Sequence, residues 1–158
     1  MNLNNFLKLI VAIAISELAG VIGAVFTVSA IPSWYEALAK PELAAPNWVF
    51  GPAWTTLYLL MGISALLVWR KGFGLKNVQT ALILFGVQLV LNTFWSIIFF
   101  GLRAPGAAFV TIILLWVTIF ATIIAFSKIS RPAAWLLVPY ILWVSFAAYL
   151  NYSIWVMN

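Results

Sequence analysis

The chain of 158 residues has no cysteine and no histidine, and it sets only three acidic residues against eight lysines and arginines. Without cysteine there is no disulfide and no thiolate metal site, and the redox compartment leaves no trace. Without histidine the commonest metal ligand and the usual haem axial ligand are gone together. No pair of carboxylates falls inside an apolar segment and no phosphate-binding glycine loop is present, so hydrolytic and nucleophilic chemistry has no candidate residues. No catalytic residue, metal site or cofactor is therefore expected. Charge of either sign is scarce: 7% of residues are charged, where soluble domains carry roughly 25%.

What remains is apolar. Hydrophobic residues make up 66% of the chain and the mean hydropathy is +1.13, which fits an integral membrane protein. Inside a bilayer every backbone amide must be paired within the protein, so the spans are helices or a closed barrel. The apolar runs are continuous and do not alternate, which selects helices. A span needs about 20 apolar residues, and five segments qualify: Phe6 to Ser29, Trp48 to Trp69, Val78 to Gly101, Pro105 to Phe126 and Pro132 to Val156. The expected architecture is an all-α, five-transmembrane-helix bundle, one domain over residues 1–158, with antiparallel neighbours and one long loop from Ala30 to Asn47. The first segment has a rival reading as a signal peptide, with Val28-Ser29-Ala30 in the place of a cleavage site. Glu17 within the run and the length of the run argue against it.

The net charge of +5 does not point to nucleic acid, because the cations sit at the ends of apolar segments. Lys8, Arg70, Lys71, Lys76, Lys128 and Arg131 fall on one side of a five-span topology and only Lys40 and Arg103 on the other. The positive-inside rule then puts the N-terminus in the cytoplasm and the first loop and C-terminus outside.

The chain is organised around the stretch from Trp34 to Tyr58. It starts as a polar loop carrying Glu36, Lys40 and Glu42 and becomes an apolar helix with tryptophans at the water boundary. Its prolines fix their own φ and push the preceding residues towards extended backbone, so the loop is expected to be stiff and able to roof a cavity. Beneath it, three helices each show an inward line at helical spacing: Trp54, Tyr58, Met61 and Ala65; Gln88, Asn92, Trp95 and Phe99; Pro139, Trp143, Ala147 and Asn151. Such lines are commonly packing, and amides within membranes commonly tie helices together. Their convergence also suits an aromatic chamber for a flat apolar ligand, with Gln88, Asn92 and Asn151 as donors.

Glu17 is the only acid inside a span, and an ionisable group there is either paired, protonated or functional. The stripe Ala12, Ser16, Gly20 and Ala24 lets a neighbouring helix approach closely. Trp48, Trp69, Trp135 and Trp155 lie near span ends, as interfacial indoles do. Trp54 and Trp143 lie deeper. Trp95 and Trp116 face either lipid or protein. Pro139 frees the carbonyl of Trp135 and is expected to bend the fifth span.

Lys40-Pro41, the run Pro46-Asn47-Trp48-Val49-Phe50-Gly51-Pro52-Ala53-Trp54-Thr55-Thr56-Leu57-Tyr58, then Gln88-Leu89-Val90-Leu91-Asn92-Thr93-Phe94-Trp95-Ser96 with Phe99-Phe100-Gly101, and finally Pro139-Tyr140 and Trp143 to Asn151-Tyr152 resemble the tryptophan-rich sensory protein family, TspO/MBR, which includes the mitochondrial translocator protein. The resemblance covers nearly the whole chain and is closest to bacterial-type members. It implies five spans, a homodimer and a chamber opening towards the first loop. Implied ligands are porphyrins such as protoporphyrin IX and drugs of isoquinoline carboxamide or benzodiazepine type. By position it implies pocket roles for Trp54 and Trp143, contacts from Asn92, Trp95, Ala147 and Leu150, and lid roles for Trp34 and Trp48. Some members degrade protoporphyrin in light, which would make Trp54 and Trp143 the electron donors.

Two family motifs are incomplete here. Leu150 and Tyr152 are followed by Val156 and Met157 with no cation, which argues against cholesterol as a ligand. Ala81 is followed four residues on by Phe85, which leaves the small-residue dimer motif of the third helix unfilled. The leading reading is a receptor and sensor in the bacterial cell membrane that binds porphyrins, with the porphyrin carboxylates near loop donors or Lys40; whether it also transports or photodegrades them is left open by the sequence. The ligand-binding set is Trp34, Trp48, Trp54, Tyr58, Gln88, Asn92, Trp95, Trp143, Ala147, Leu150 and Asn151. The alternatives are a proton-coupled transporter of small hydrophobic cations using Glu17, and a structural partner with an incidental cavity.

Overall fold

Backbone polar groups that meet no water have to find each other within the same segment, and the computed structural model, which describes residues 3–158, is helical in every apolar run. Met1 and Asn2, part of the single domain expected over 1–158, lie outside the described residues. The helices are α1 (Leu3–Ala30), α2 (Asn47–Trp69), α3 (Lys76–Ser96), α4 (Pro105–Ser127), α5 (Arg131–Leu136) and α6 (Val138–Met157), with a π-helical turn after α1 (Ile31–Tyr35) and another after α3 (Ile97–Gly101). Five stretches are long and apolar enough to cross a membrane: Asn4–Tyr35, Asn47–Trp69, Lys76–Gly101, Pro105–Ser127 and Arg131–Met157. Spans two to five match the expected ones to within a few residues.

The first span does not stop at Ser29. It runs on through the π turn and residues 36–37, so the loop expected from Ala30 shrinks to residues 38–46. Pro32 sits at the start of the wide turn, where Glu36 N–H reaches back to the Ile31 carbonyl. A proline ring crowds the carbonyl four residues before it, and a locally widened turn accommodates that without ending the helix. Lys40 closes the helix end: its ammonium donates to the carbonyls of Tyr35, Glu36 and Leu38 at 2.9, 3.0 and 2.9 Å and lies 5.1 Å from the Tyr35 ring centre. Carbonyls left over at a helix C-terminus attract a cation in this way.

Small residues set the α1–α2 crossing. A Cβ on Gly62 would come within 2.6 Å of the Ile13 Cα, and one on Gly20 within 2.4 Å of the Tyr58 ring. Ala12 and Ser16 of the stripe are buried in this contact, while Ala24 is exposed to the cavity described below. On the other side of the bundle Phe85 of α3 stacks on Phe126 of α4, with ring centres 5.9 Å apart. The last span breaks at Leu137, whose φ and ψ of −89° and −9° join α5 to α6. Pro139 then falls in the first turn of α6, where its missing N–H has no intrahelical role. The break moves the inward line: Pro139 is exposed and Tyr140, fully buried, takes the interior position expected of it.

The cations segregate as expected from the topology. Lys8 lies 5.7 Å from the Trp69 ring, which places it at the end that carries Arg70 and Lys71. At the opposite end the Asn158 amide exchanges two hydrogen bonds with the backbone of Ala39, at 3.0 and 3.1 Å, and so pins the short loop to the last helix.

Candidate ligand cavity

A cavity of about 230 Å³ lies in the half of the bundle below the 38–46 loop. Its aromatic wall is Trp54, Tyr58, Trp95, Phe100, Trp143 and Phe146, and its opposite wall is the small face of α1 from Gly20 to Val28. Helical spacing builds the wall. Trp54 and Tyr58 are one turn apart and stack at 5.7 Å, and Trp95 meets Trp54 at 6.2 Å and stacks on Phe99 at 5.7 Å. Phe50, one turn before Trp54, stands edge-on to Trp143 at 6.2 Å.

The two π turns build the roof. Trp34 packs edge-on to Phe99 at 5.6 Å, Tyr35 lies 6.0 and 5.9 Å from Phe50 and Phe100, and Phe99 meets Phe100 at 4.8 Å. The cover is thus an aromatic cluster made by the extended first helix and the end of the third. The prolines of the 38–46 loop do not line the cavity.

The amides were expected to donate into the chamber, and the structure uses them otherwise. Asn92 donates to the Tyr140 hydroxyl at 2.8 Å and accepts from the Tyr58 hydroxyl at 3.2 Å. Tyr140 in turn donates to Gln88 at 2.6 Å, and Gln88 reaches the Met61 sulfur at 3.7 Å. Asn151 accepts from the Trp95 indole at 3.0 Å and donates to the Pro105 carbonyl at 2.7 Å. A buried amide with a fixed protein partner has no need of a ligand, so these three tie α2, α3, α4 and α6 together behind the wall. Lys40, considered for porphyrin carboxylates, spends its three protons on the helix end.

Of the residues proposed from sequence, Trp54, Tyr58, Trp95, Trp143 and Ala147 line the cavity. Gln88, Asn92 and Asn151 stand directly behind it, each buried. Trp34 is in the roof cluster, Leu150 is buried away from the cavity, and Trp48 is 75% exposed. Trp116, left open from sequence, donates to Ser145 at 2.8 Å across α4 and α6.

Two polar groups are left over among the described residues: the Trp143 indole N–H and the Tyr35 hydroxyl are buried with no hydrogen-bond partner. Trp143 is one of the cavity-lining residues, and its N–H is buried without a partner. Glu17 supplies the only carboxylate on the cavity lining, next to Gly20. The sequence reading missed the part played by Phe50, Phe100 and Phe146. Phe50 was legible as Trp54 minus four, but Phe100 owes its position to a π turn that no residue pattern announces.

The fold and the cavity define a class: a multi-pass α-helical membrane protein with a small aromatic-walled chamber at one end of its bundle. Residues 12–156 match the TspO/MBR family. The tryptophan-rich protein TspO of Chlorobaculum tepidum is 41% identical over 96% of this chain and 96% of its own length. The tryptophan-rich protein TspO of Archaeoglobus fulgidus is 42% identical over 98% of this chain and 99% of its own, and the human translocator protein 44% identical over 77% and 73%. The chain belongs to the TspO/MBR family.

Proposed function

We propose that this protein is a membrane receptor and sensor for flat hydrophobic ligands of porphyrin type, such as protoporphyrin IX, held in the cavity of Trp54, Tyr58, Trp95 and Trp143. One observation carries the reading: the chamber is walled by Trp54, Tyr58, Trp95 and Trp143, and the indole N–H of Trp143 is buried with no partner in the protein. An unpaired buried N–H costs roughly 1–3 kcal/mol, and a ligand acceptor would remove that cost while the rings stack on its π face. The chamber of about 230 Å³ is below the roughly 300–1,000 Å³ of ordinary ligand sites. A tetrapyrrole therefore fits only if the chamber widens, as it would where Phe50 moves away from Trp143.

The test is quenching of tryptophan fluorescence by protoporphyrin IX in detergent. Trp143→Phe keeps a ring and removes the donor, so the affinity should fall by about two- to tenfold, the worth of one net hydrogen bond. An unchanged affinity would take Trp143 out of the site. Photodegradation of the porphyrin, with Trp54 and Trp143 donating electrons to the light-excited macrocycle, is part of the same proposal and should be lost in Trp143→Phe.

Glu17 favours a second reading. Its carboxylate lines the cavity and has no hydrogen-bond or ion-pair partner among the described residues, the arrangement of a group that exchanges a proton with a bound cation. In that reading Glu17→Gln abolishes pH-driven uptake of small hydrophobic cations into liposomes; retained uptake would end it. Both readings place one domain in a bacterial cell membrane with the N-terminus cytoplasmic and the C-terminus outside. A homodimer is part of the proposal, and its interface lies elsewhere than Ala81 and Phe85, which are buried within the protomer.

A further inference from the structure

At the cation-rich end a second hollow, of about 270 Å³, opens between α4 and the broken last span. Ile123, Ala134 and Val138 give it an apolar floor, Trp135 forms one side, and Arg131 stands at its mouth. The hollow sits beside the break at Leu137, where α5, itself packed on α4, gives way to α6. Trp135 is 72% exposed and Arg131 is exposed as well. Neither side chain has a hydrogen-bond or ion-pair partner among the described residues.

The charge at this end has no internal answer. Lys8, Arg70, Lys71, Lys76, Lys128 and Arg131 gather there, while two of the three acids, Glu36 and Glu42, belong to the opposite end and the third, Glu17, lines the ligand cavity. A guanidinium offers five donors in a planar fork suited to phosphate oxygens. An indole beside it belongs at the level of lipid headgroups. Ser127, on the same rim, has committed its hydroxyl proton to the Ile124 carbonyl at 2.8 Å, so it does not compete for an anion as a donor.

We propose that this groove binds one anionic phospholipid, with the phosphate on Arg131 and an acyl chain lying along Ile123, Ala134 and Val138 against Trp135. The site is separate from the aromatic chamber and independent of what that chamber holds. The cation fixes the headgroup's charge, and the apolar floor requires that the phosphate be attached to a chain.

The detergent-purified full-length protein, given phosphatidylglycerol and phosphatidylcholine with identical acyl chains, reports the preference directly by native mass spectrometry. The wild type should retain phosphatidylglycerol about fivefold more, the worth of one basic residue at a charged membrane surface. Arg131→Gln should bring the two lipids level, Arg131→Lys should keep most of the preference, and Lys76→Gln, at the same end but outside the groove, should leave it intact. Trp135→Ala should shorten retention of phosphatidylglycerol with the charge untouched. Equal retention of both lipids by the wild type overturns the proposal. So does an Arg131→Gln protein that keeps the preference, or a Lys76→Gln protein that loses as much, since the field of the whole end would then suffice. Displacement of the lipid by inorganic phosphate alone would show an anion site without a place for the chain, and would likewise overturn it.

Discussion

At the scale of single residues, the interior is decided by which polar groups satisfy one another. Asn92 joins two tyrosines from different helices, Tyr58 and Tyr140, and Tyr140 hands the chain on to Gln88. Removing one member leaves hydroxyls unpaired in a bundle surrounded by lipid. Asn92→Ala should therefore destabilise the fold by about 1–3 kcal/mol, more than the ~0.6 kcal/mol average of interhelical hydrogen bonds in membranes. Reversible unfolding in mixed micelles measures it. Porphyrin affinity, corrected for the folded fraction, should change less than in Trp143→Phe; the reverse order would return the Asn92 amide to the cavity. The inward direction of Gln88, Asn92 and Asn151 was legible from their period, because helical geometry alone sets it. Their partners were not. Tyr140 lies 48 residues from Asn92, and only the break at Leu137 turns it inward in place of Pro139.

At the scale of elements, close helix contact and local widening do the positioning. The spans were readable from continuous hydropathy, and the small stripe of α1 from its spacing of four. Neither π turn was: Pro32 marks the place of the first but does not say that the helix widens instead of ending, and the second, carrying Phe99 and Phe100, leaves no periodic mark. The α1–α2 crossing separates two glycines of the same helix. At Gly62 an added Cβ meets the backbone of Ile13, which cannot step aside, whereas at Gly51 nothing lies within 4 Å. Gly62→Ala should lower stability by about 1–3 kcal/mol, the usual range for overpacking. Gly51→Ala should raise it by up to about 1 kcal/mol through helix propensity. Thermal unfolding of the two variants in one detergent distinguishes them, and equal effects would mean that α1 and α2 do not touch as described.

At the scale of the whole molecule, charge is sorted between two ends of an otherwise apolar bundle, and function is sorted with it. The aromatic chamber, its roof and the Asn158 clasp on Ala39 occupy the end with few cations. Lys8, against Trp69, marks the other. Cations near short loops resist translocation, so the crowded end should stay in the cytoplasm and the chamber should open to the far side of the membrane. A phosphatase fused after Asn158 should then be active in intact bacteria, and a green fluorescent protein fused at the same point through the same export route should be dark. The opposite pattern would invert the molecule and deliver ligands to the chamber from the cytoplasm. The proposed porphyrin ligand also bears on access: a macrocycle too large for a chamber of about 230 Å³ should displace Phe50 and the rings of Trp34 and Tyr35 packed above it. Restricting that motion should slow binding more than it weakens it. On that reading the packed rings should govern the rate of ligand entry, and the wall of Trp54, Trp95 and Trp143 how long the ligand stays.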